Sequence, residues 1–476
     1  MKAWRVGVAG ACLLGCVAAL GQGAGGAAEF LAAKQSAPTL KSEAEWGRER
    51  ERLDAVAKSY TAGNAFMGAV LVVDGERTLL DKGYGMADLE WGIANAPEVK
   101  FRLGSLTKQF TAALVLLLQQ DGKLRIEDPV SKYLADAPSS WDKITVKELL
   151  GHTSGIVNFT SLPEFRAWSM LPRTPDQEVD FFRDKPLEFE PGTKFAYSNS
   201  NYEVLGLVIE RVSEKKYGAL LRERILDPLG MKDTGLDTDE LVLPKRAQGY
   251  RPGRGGLVLA RSESMAVPWA AGSIYSTTGD LLRWERGLFG GKVLNDASLK
   301  AMTTAGMGGY GLGVMVAQVG DAKVVQHGGA IEGFNTFLSY VPERKIAVAV
   351  LSNVSGPAAD KMAGQLLNVA MGKPVVLANE RKAVLSPYGE KDLEKFKGVY
   401  DLAPNFSLTI SVSGGMLYAQ GTKQPEIHLT YGGEEGGHPR FFSADVDAEI
   451  EFVPDASGAI ASLVLHQGGD HPAKKR

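Results

Sequence analysis

One stretch constrains this chain more than any other: FRLGSLTKQFTAALVLLLQQ, residues 101–120. The part from Phe110 to Leu118 is almost wholly apolar, and DGK at 121–123 ends it. Such a run is too short to cross a bilayer, which takes about 20 apolar residues. It reads as a helix buried on all sides, and that demands a large domain around it. Gly104 turns the chain just before it, Ser105 falls at its N-terminus and Lys108 follows three residues on. Residues three apart share a helix face, so the amine reaches the hydroxyl. A serine is a weak nucleophile until a neighbour takes its proton, and a lysine can do so when burial disfavours its ammonium form. The helix N-terminus also aims N–H groups and positive potential at any oxyanion forming beside Ser105.

The pattern S-x-x-K occurs three times, so by itself it is a weak signal. Ser213/Lys216 lies in ERVSEKKYGALLRER, which reads as a solvated surface. Ser140/Lys143 lies in PSSWDKITVKELL, where the serine reads as a helix cap. Only Ser105 joins a turn to a deeply apolar helix, and there the competing reading is again a cap.

A chain of 476 residues exceeds what one core usually holds, so two domains are expected. The net charge of −3, with no basic block, gives nucleic-acid binding no electrostatic footing. Residues 1–24 have the layout of a secretory signal peptide: Lys2 and Arg5, an apolar run to Leu20, then small residues. Both cysteines, Cys12 and Cys16, fall inside it. LLGC at 13–16 resembles a lipoprotein cleavage box, but Val17 to Leu20 stay apolar, so simple cleavage is preferred over lipidation at Cys16. The expectation is an exported, periplasmic or secreted protein with no stable membrane span and no thiol in its mature form.

Residues 25–42, rich in Ala, Gly and Ser, read as a disordered linker. Residues 43–60 read as an amphipathic helix with Trp46, Leu53, Val56, Ala57 and Tyr60 toward one side. Strands at 67–73 and 77–83 flank Asp74-Gly75, a hairpin signal. GHTSG (151–155) is a loop after the apolar helix end KELL. Late strands at 322–326, 335–341 and 345–352 form a meander, and a helix at 358–371 closes the domain. The fold class is therefore α/β (α+β): one antiparallel sheet flanked by helices, with an all-helical lobe, over residues 43–372. Without βαβ alternation, a parallel doubly wound sheet is disfavoured. Residues 373–392 read as a linker. From 393 to 476, short alternating runs at 398–401, 407–412, 416–420, 426–430, 440–443, 449–453 and 461–466 predict a small antiparallel barrel. Its His428, His438 and His466 lack metal-ligand spacing and read as surface or barrel-lining residues.

Ser105 needs partners. Tyr197-Ser198-Asn199 lies in a turn-rich loop before a helix. In extended backbone, residues two apart project the same way, so a phenol and a carboxamide can face one pocket. His327-Gly328-Gly329 is expected to end a strand, where paired glycines let a substrate approach the backbone. Taken singly, each is an ordinary core or turn residue. Taken together and in this order, they are not.

With SLTK at 105–108, YSN at 197–199 and HGG at 327–329, the sequence resembles the penicillin-binding-protein and class C β-lactamase superfamily of serine hydrolases. LLGHTSGI (149–156), AAGSIYSTTGDLLRW (270–284) and HGGAIEGF (327–334) support the likeness, which covers roughly residues 44–371. The tail from 393 resembles the lipocalin-like barrel appended to some exported members.

The resemblance implies a Ser105 acyl-enzyme. Lys108 and Tyr197 share the base role, and the Ser105 and Ala330 N–H groups hold the oxyanion. Asn199, His327, Gly328 and Gly329 bind substrate, and neither cofactor nor metal is needed. The expected partner is a small-molecule or peptide substrate, an acyl amide or ester, with cell-wall-derived compounds among the candidates. Members that grip a substrate carboxylate usually carry lysine where this chain has His327, which is mostly neutral near pH 7. That favours peptidase or esterase action on D-residue peptides or small esters over β-lactamase or penicillin-binding activity. A non-catalytic protein that binds cell-wall fragments is the alternative from another class. The absence of G-x-S-x-G disfavours an α/β-hydrolase.

Overall fold

The computed structural model describes residues 41–61, 64–253, 256–378, 386–403, 406–422, 424, 426–443, 448–467 and 470–476. The signal-peptide reading, the Cys16 alternative and nearly all of the 25–42 linker fall outside them. Contacts divide the chain into two units, Arg48–Val375 and one that contains Val376–Arg476.

The larger unit is built on a six-stranded antiparallel sheet. Its order is Met315–Val319, Ala322–Ile331, Phe334–Val341, Ile346–Ser352, Gly68–Asp74 and Arg77–Tyr84. The N-terminal hairpin joins the late meander through the register Gly68↔Ser352 to Asp74↔Ile346. The central strands are apolar on both faces because helices cover both: Ile346–Ser352 is buried throughout. The edge strand Met315–Val319 was not expected, since its residues, four half-buried and one exposed, carry little alternation. A second correction concerns His327, Gly328 and Gly329. They do not end a strand, which runs on to Ile331, with Gly328 opposite Phe337 and Gly329 opposite Thr336.

The helix Thr107–Gln120 is buried from Thr107 to Leu118. Its apolar residues pack on every side, and Phe110 lies 4.2 Å, ring to ring, from Trp284. Each polar residue has a partner, as burial requires. Thr107 Oγ1 accepts the Ile274 N–H (3.1 Å), Trp284 Nε1 donates to Gln109 Oε1 (3.1 Å) and Thr111 Oγ1 donates to the Ala270 carbonyl (2.6 Å). Helices Asn199–Ser213 and Trp269–Gly272 flank it.

The other two S-x-x-K serines differ from expectation. Ser213 is buried, and its hydroxyl donates to the Ile209 carbonyl of its own helix at 2.6 Å. Ser140 caps nothing, because Thr145 makes the capping box for the helix Val146–Leu150.

In the second unit, eight strands from Gly398–Ala403 to Asp470–Lys475 close into an antiparallel barrel, the last strand pairing with the first through Tyr400↔Lys475. The sequence pattern gives seven or eight strands; the eighth is Asp470–Lys475, which no alternating run marks. The expected linker ends earlier than residue 392, because Glu390–Leu393 is helical and Leu393 joins the barrel core. Phe396, Tyr400, Phe441 and Phe452 occupy that core. His438 and His466 share the carboxylate of Glu451 with Arg440 on partly exposed strand positions. Among the described residues, no helix is long and apolar enough to cross a membrane.

Candidate active site

Ser105 sits in a single 3-10 turn, Gly104–Leu106, that feeds directly into the buried helix. It caps neither element, since no side-chain cap bond forms at either N-terminus. Gly104 has φ +55°, and a Cβ there would meet the Ala330 nitrogen at 2.8 Å. A Cβ on Gly329 would lie 1.9 Å from the Leu103 carbonyl oxygen and 2.4 Å from Thr336 Oγ1. The glycines at 104 and 329 thus let the serine turn lie against the sheet strand, with the Ala330 backbone beside it. Thr336 Oγ1 donates to the Leu103 carbonyl at 2.7 Å and ties the two together.

Lys108 is fully enclosed. Its Nζ donates to Ser105 Oγ at 3.0 Å, to Asn199 Oδ1 at 2.8 Å and to the Ala271 carbonyl at 2.9 Å. All three amine directions are therefore fixed, one of them on the serine. Burial lowers its pKa to about 7, against a smaller opposing pull from Glu203. Half of the amine is then free base near neutral pH, in hydrogen-bond contact with the hydroxyl.

Burial pushes the Tyr197 phenol far above the usual range, against a smaller opposing pull from Ser105, so it stays protonated. Lys108 Nζ lies 5.0 Å from the centre of its ring. Asn199 is not in extended backbone as the sequence suggested. Ser198 is extended, and Asn199 is the first residue of the helix Asn199–Ser213. The outcome for the pocket is the same, since its Oδ1 reaches Lys108. Its Nδ2 is held by Asn158 Oδ1 and Thr160 Oγ1, each at 3.3 Å.

His152, from GHTSG, positions this segment. Its Nδ1 accepts the Ser198 N–H at 3.2 Å, and its ring packs on Tyr197 at 4.2 Å. His327 is buried, and burial with the nearby Lys108 lowers its pKa to about 4. Its Nδ1 faces the Gly328 carbonyl oxygen at 2.5 Å and its Nε2 faces Tyr310 Oη at 2.9 Å. A carbonyl only accepts, so Nδ1 carries the proton and Tyr310 donates to Nε2. Both ring nitrogens are occupied, and the ring is neutral.

Ser105, Lys108 and Asn199 are joined by hydrogen bonds, Tyr197 lies against Lys108 and 6.2 Å, ring to ring, from His327, and the Gly329 and Ala330 backbone lies against the serine turn; Gly328 faces the other way, toward Asp360 and Phe337. Sequence reasoning missed Tyr310, Asn158, Thr160 and Ala271. Tyr310 and Asn158 lie in loops and Thr160 in the short 3-10 turn Phe159–Ser161, all without a motif, and Ala271 acts through its backbone. Among the described residues, no group of three or more His, Cys, Asp or Glu side chains is arranged to hold a metal ion.

The family model described as Beta-lactamase matches residues 53–370. The putative penicillin-binding protein PbpX of Bacillus subtilis is 29% identical over 65% of this chain and 78% of its own length. The teichoic acid D-alanine hydrolase of Staphylococcus aureus is 31% identical over 47% of this chain, and the match spans about half, 54%, of that protein. Among solved structures, the octameric penicillin-binding protein homologue from Pyrococcus abyssi matches with a TM-score of 0.64 and 25% identity, covering 89% of this chain and 99% of that one. The D-stereospecific amidohydrolase from Streptomyces sp. matches with a TM-score of 0.58 and 27% identity, covering 69% and 99%.

Proposed function

Since the chain belongs to the beta-lactamase family, we propose that it is an exported serine hydrolase that cleaves amide or ester bonds through an acyl-enzyme on Ser105. The observation that carries this reading is the 3.0 Å hydrogen bond between the enclosed Lys108 amine and the Ser105 hydroxyl. Lys108 takes the serine proton as Oγ bonds to the substrate carbonyl carbon. The Ser105 and Ala330 N–H groups stabilise the resulting oxyanion. As the bond to the leaving group breaks, the proton passes from Lys108 through the Tyr197 hydroxyl to the departing nitrogen or oxygen. Water then attacks the ester carbon, gives a proton back along the same route and restores the serine. Because Tyr197 remains a phenol, it conducts protons, and the base role falls to Lys108.

The substrate class follows from His327. A neutral ring with both nitrogens engaged offers no cation to a substrate carboxylate. Esters and amides without a carboxylate beside the scissile bond are therefore preferred over β-lactams and carboxypeptidase substrates. The names of the D-stereospecific amidohydrolase and the teichoic acid D-alanine hydrolase point toward D-aminoacyl groups. Export rests on the signal-peptide layout of residues 1–24. The test is a panel of D- and L-aminoacyl p-nitroanilides and p-nitrophenyl esters. Turnover of D-aminoacyl compounds that disappears in Ser105→Ala supports the reading. Equal hydrolysis by Ser105→Ala contradicts it.

A further inference from the structure

Behind Lys108 the protein buries a carboxyl group that the acylation chemistry does not use. Glu203 has no solvent exposure. It lies one turn beyond Asn199 on the same helix face. Its Oε1 accepts the Ala271 N–H at 3.3 Å, and the carbonyl of the same Ala271 accepts from Lys108 Nζ. Its Oε2 has no hydrogen-bond partner. The two peptide groups of one residue thus link an enclosed acid to the enclosed base.

The groups that face Glu203 are few. Burial raises the Glu203 carboxyl well above its usual range, Glu178 on the helix Pro175–Asp180 raises it further once ionised, and the Ala271 N–H and Lys108 pull it back; Tyr217 feels it from the next layer. Glu178 and Tyr217 are neutral in their buried sites near pH 6, since burial raises Glu178 to about 7 and lifts the Tyr217 phenol. On its other side, Lys108 faces His152 and His327, both held neutral by burial. Neither an ammonium nor a carboxylate is stable alone in such surroundings. The acid and the amine therefore titrate as a pair.

We propose that Glu203 is a positioning residue that acts through Lys108: it shares one proton with the amine and fixes the pH at which Ser105 meets a free base. When the pair holds its shared proton on the amine, the Glu203 carboxylate stabilises the ammonium. Without it, burial alone acts, and the free amine persists to lower pH. The proposal rests on the acyl-enzyme reading of Ser105.

The test follows acylation of the full chain by p-nitrophenyl acetate from pH 5 to 9, for wild type, Glu203→Gln, Glu203→Met and Glu203→Asp. Gln and Met remove the charge, and the acid limb of the rate profile is expected to move down by about one pH unit. The rate at pH 6, relative to the plateau, then rises roughly fivefold. Asp keeps the charge and is expected to keep the wild-type limb. Limbs that superimpose for all four proteins, whatever their plateau rates, overturn the proposal. So does loss of the wild-type limb in Asp together with an unmoved limb in Gln or Met. Failure of the Ser105 reading looks different: wild type itself forms no acyl adduct.

Discussion

Tyr310 Oη donates to His327 Nε2 at 2.9 Å, and this bond decides what the third motif offers a substrate. A histidine that is free at Nε2 can bind an anion once protonated. This one is capped by a phenol and backed by the Gly328 carbonyl. His327→Lys is expected to place an ammonium in this position and to raise acylation by a penicillin relative to a neutral ester. A hydrogen bond to a charged group contributes about 1.5–3 kcal/mol, or roughly ten- to a hundredfold. An unchanged ratio of the two rates would show that the motif does not select for charge.

The pH dependence of acylation follows from Lys108. With its pKa at about 7, the free base is lost below that pH, so kcat/KM falls toward tenfold per unit on the acid side. His327, at about 4, adds no limb in that range. Stopped-flow acylation from pH 5 to 9 reads this directly, and a rate flat down to pH 5 would remove Lys108 as the base.

Burying Lys108 also costs stability. Between pH 7 and the ordinary lysine value of 10.5, the unfolded chain holds a proton that the folded chain lacks, so wild-type stability rises with pH across that window. Lys108→Met is expected to abolish activity and raise Tm. Its advantage is largest at pH 7 and below, and shrinks by about 1.4 kcal/mol per unit up to pH 10.5. Thermal melts at pH 6, 8 and 10 check the trend.

Glu285, on the helix Thr278–Phe289, gives the opposite sign. It is buried, its Oε2 has no partner, and burial raises its pKa to about 8. Between pH 4.5 and 8 the folded chain keeps a proton that the unfolded chain has released, so this group's contribution falls as pH rises. Glu285→Gln is expected to stabilise the protein, with a gain that grows to pH 8 and is then constant. A gain independent of pH would contradict the assignment.

Gly329→Ala puts a methyl group against the Leu103 carbonyl and Thr336. Either the serine turn or the strand must shift, and displacement of a reacting group by about 1 Å costs on the order of a hundredfold in rate. A folded Gly329→Ala protein with near wild-type kcat would show that the glycine does not set the position of Ser105.

Much of this was legible in the sequence, because buried helices and hairpins write strong periodic signals. The helix after Ser105, the Asp74-Gly75 hairpin and the closing helix Ala358–Ala370 all appear where the pattern put them. Glycines read as strand ends, so the sequence ends the HGG strand too early, whereas here the missing side chain of Gly329 admits the Leu103 carbonyl and Thr336. Asn199 was read as extended because Y-x-N carries no mark of the helix it opens. Tyr310 was invisible, since a tyrosine in GGYGLG becomes a partner of His327 only through folding. Glu203 did leave a trace: a lone acid inside YEVLGLVI, four residues after Asn199 and so on its face of the helix.

The most direct measurement is the intact mass of wild type and Ser105→Ala after exposure to a fluorophosphonate, a p-nitrophenyl ester and a penicillin. The account predicts one adduct per chain on wild type with the fluorophosphonate and a transient one with the ester. It predicts little or none with the penicillin, and no adduct on Ser105→Ala. Adducts of equal yield on both proteins, or none on folded wild type, would contradict Ser105 as the nucleophile.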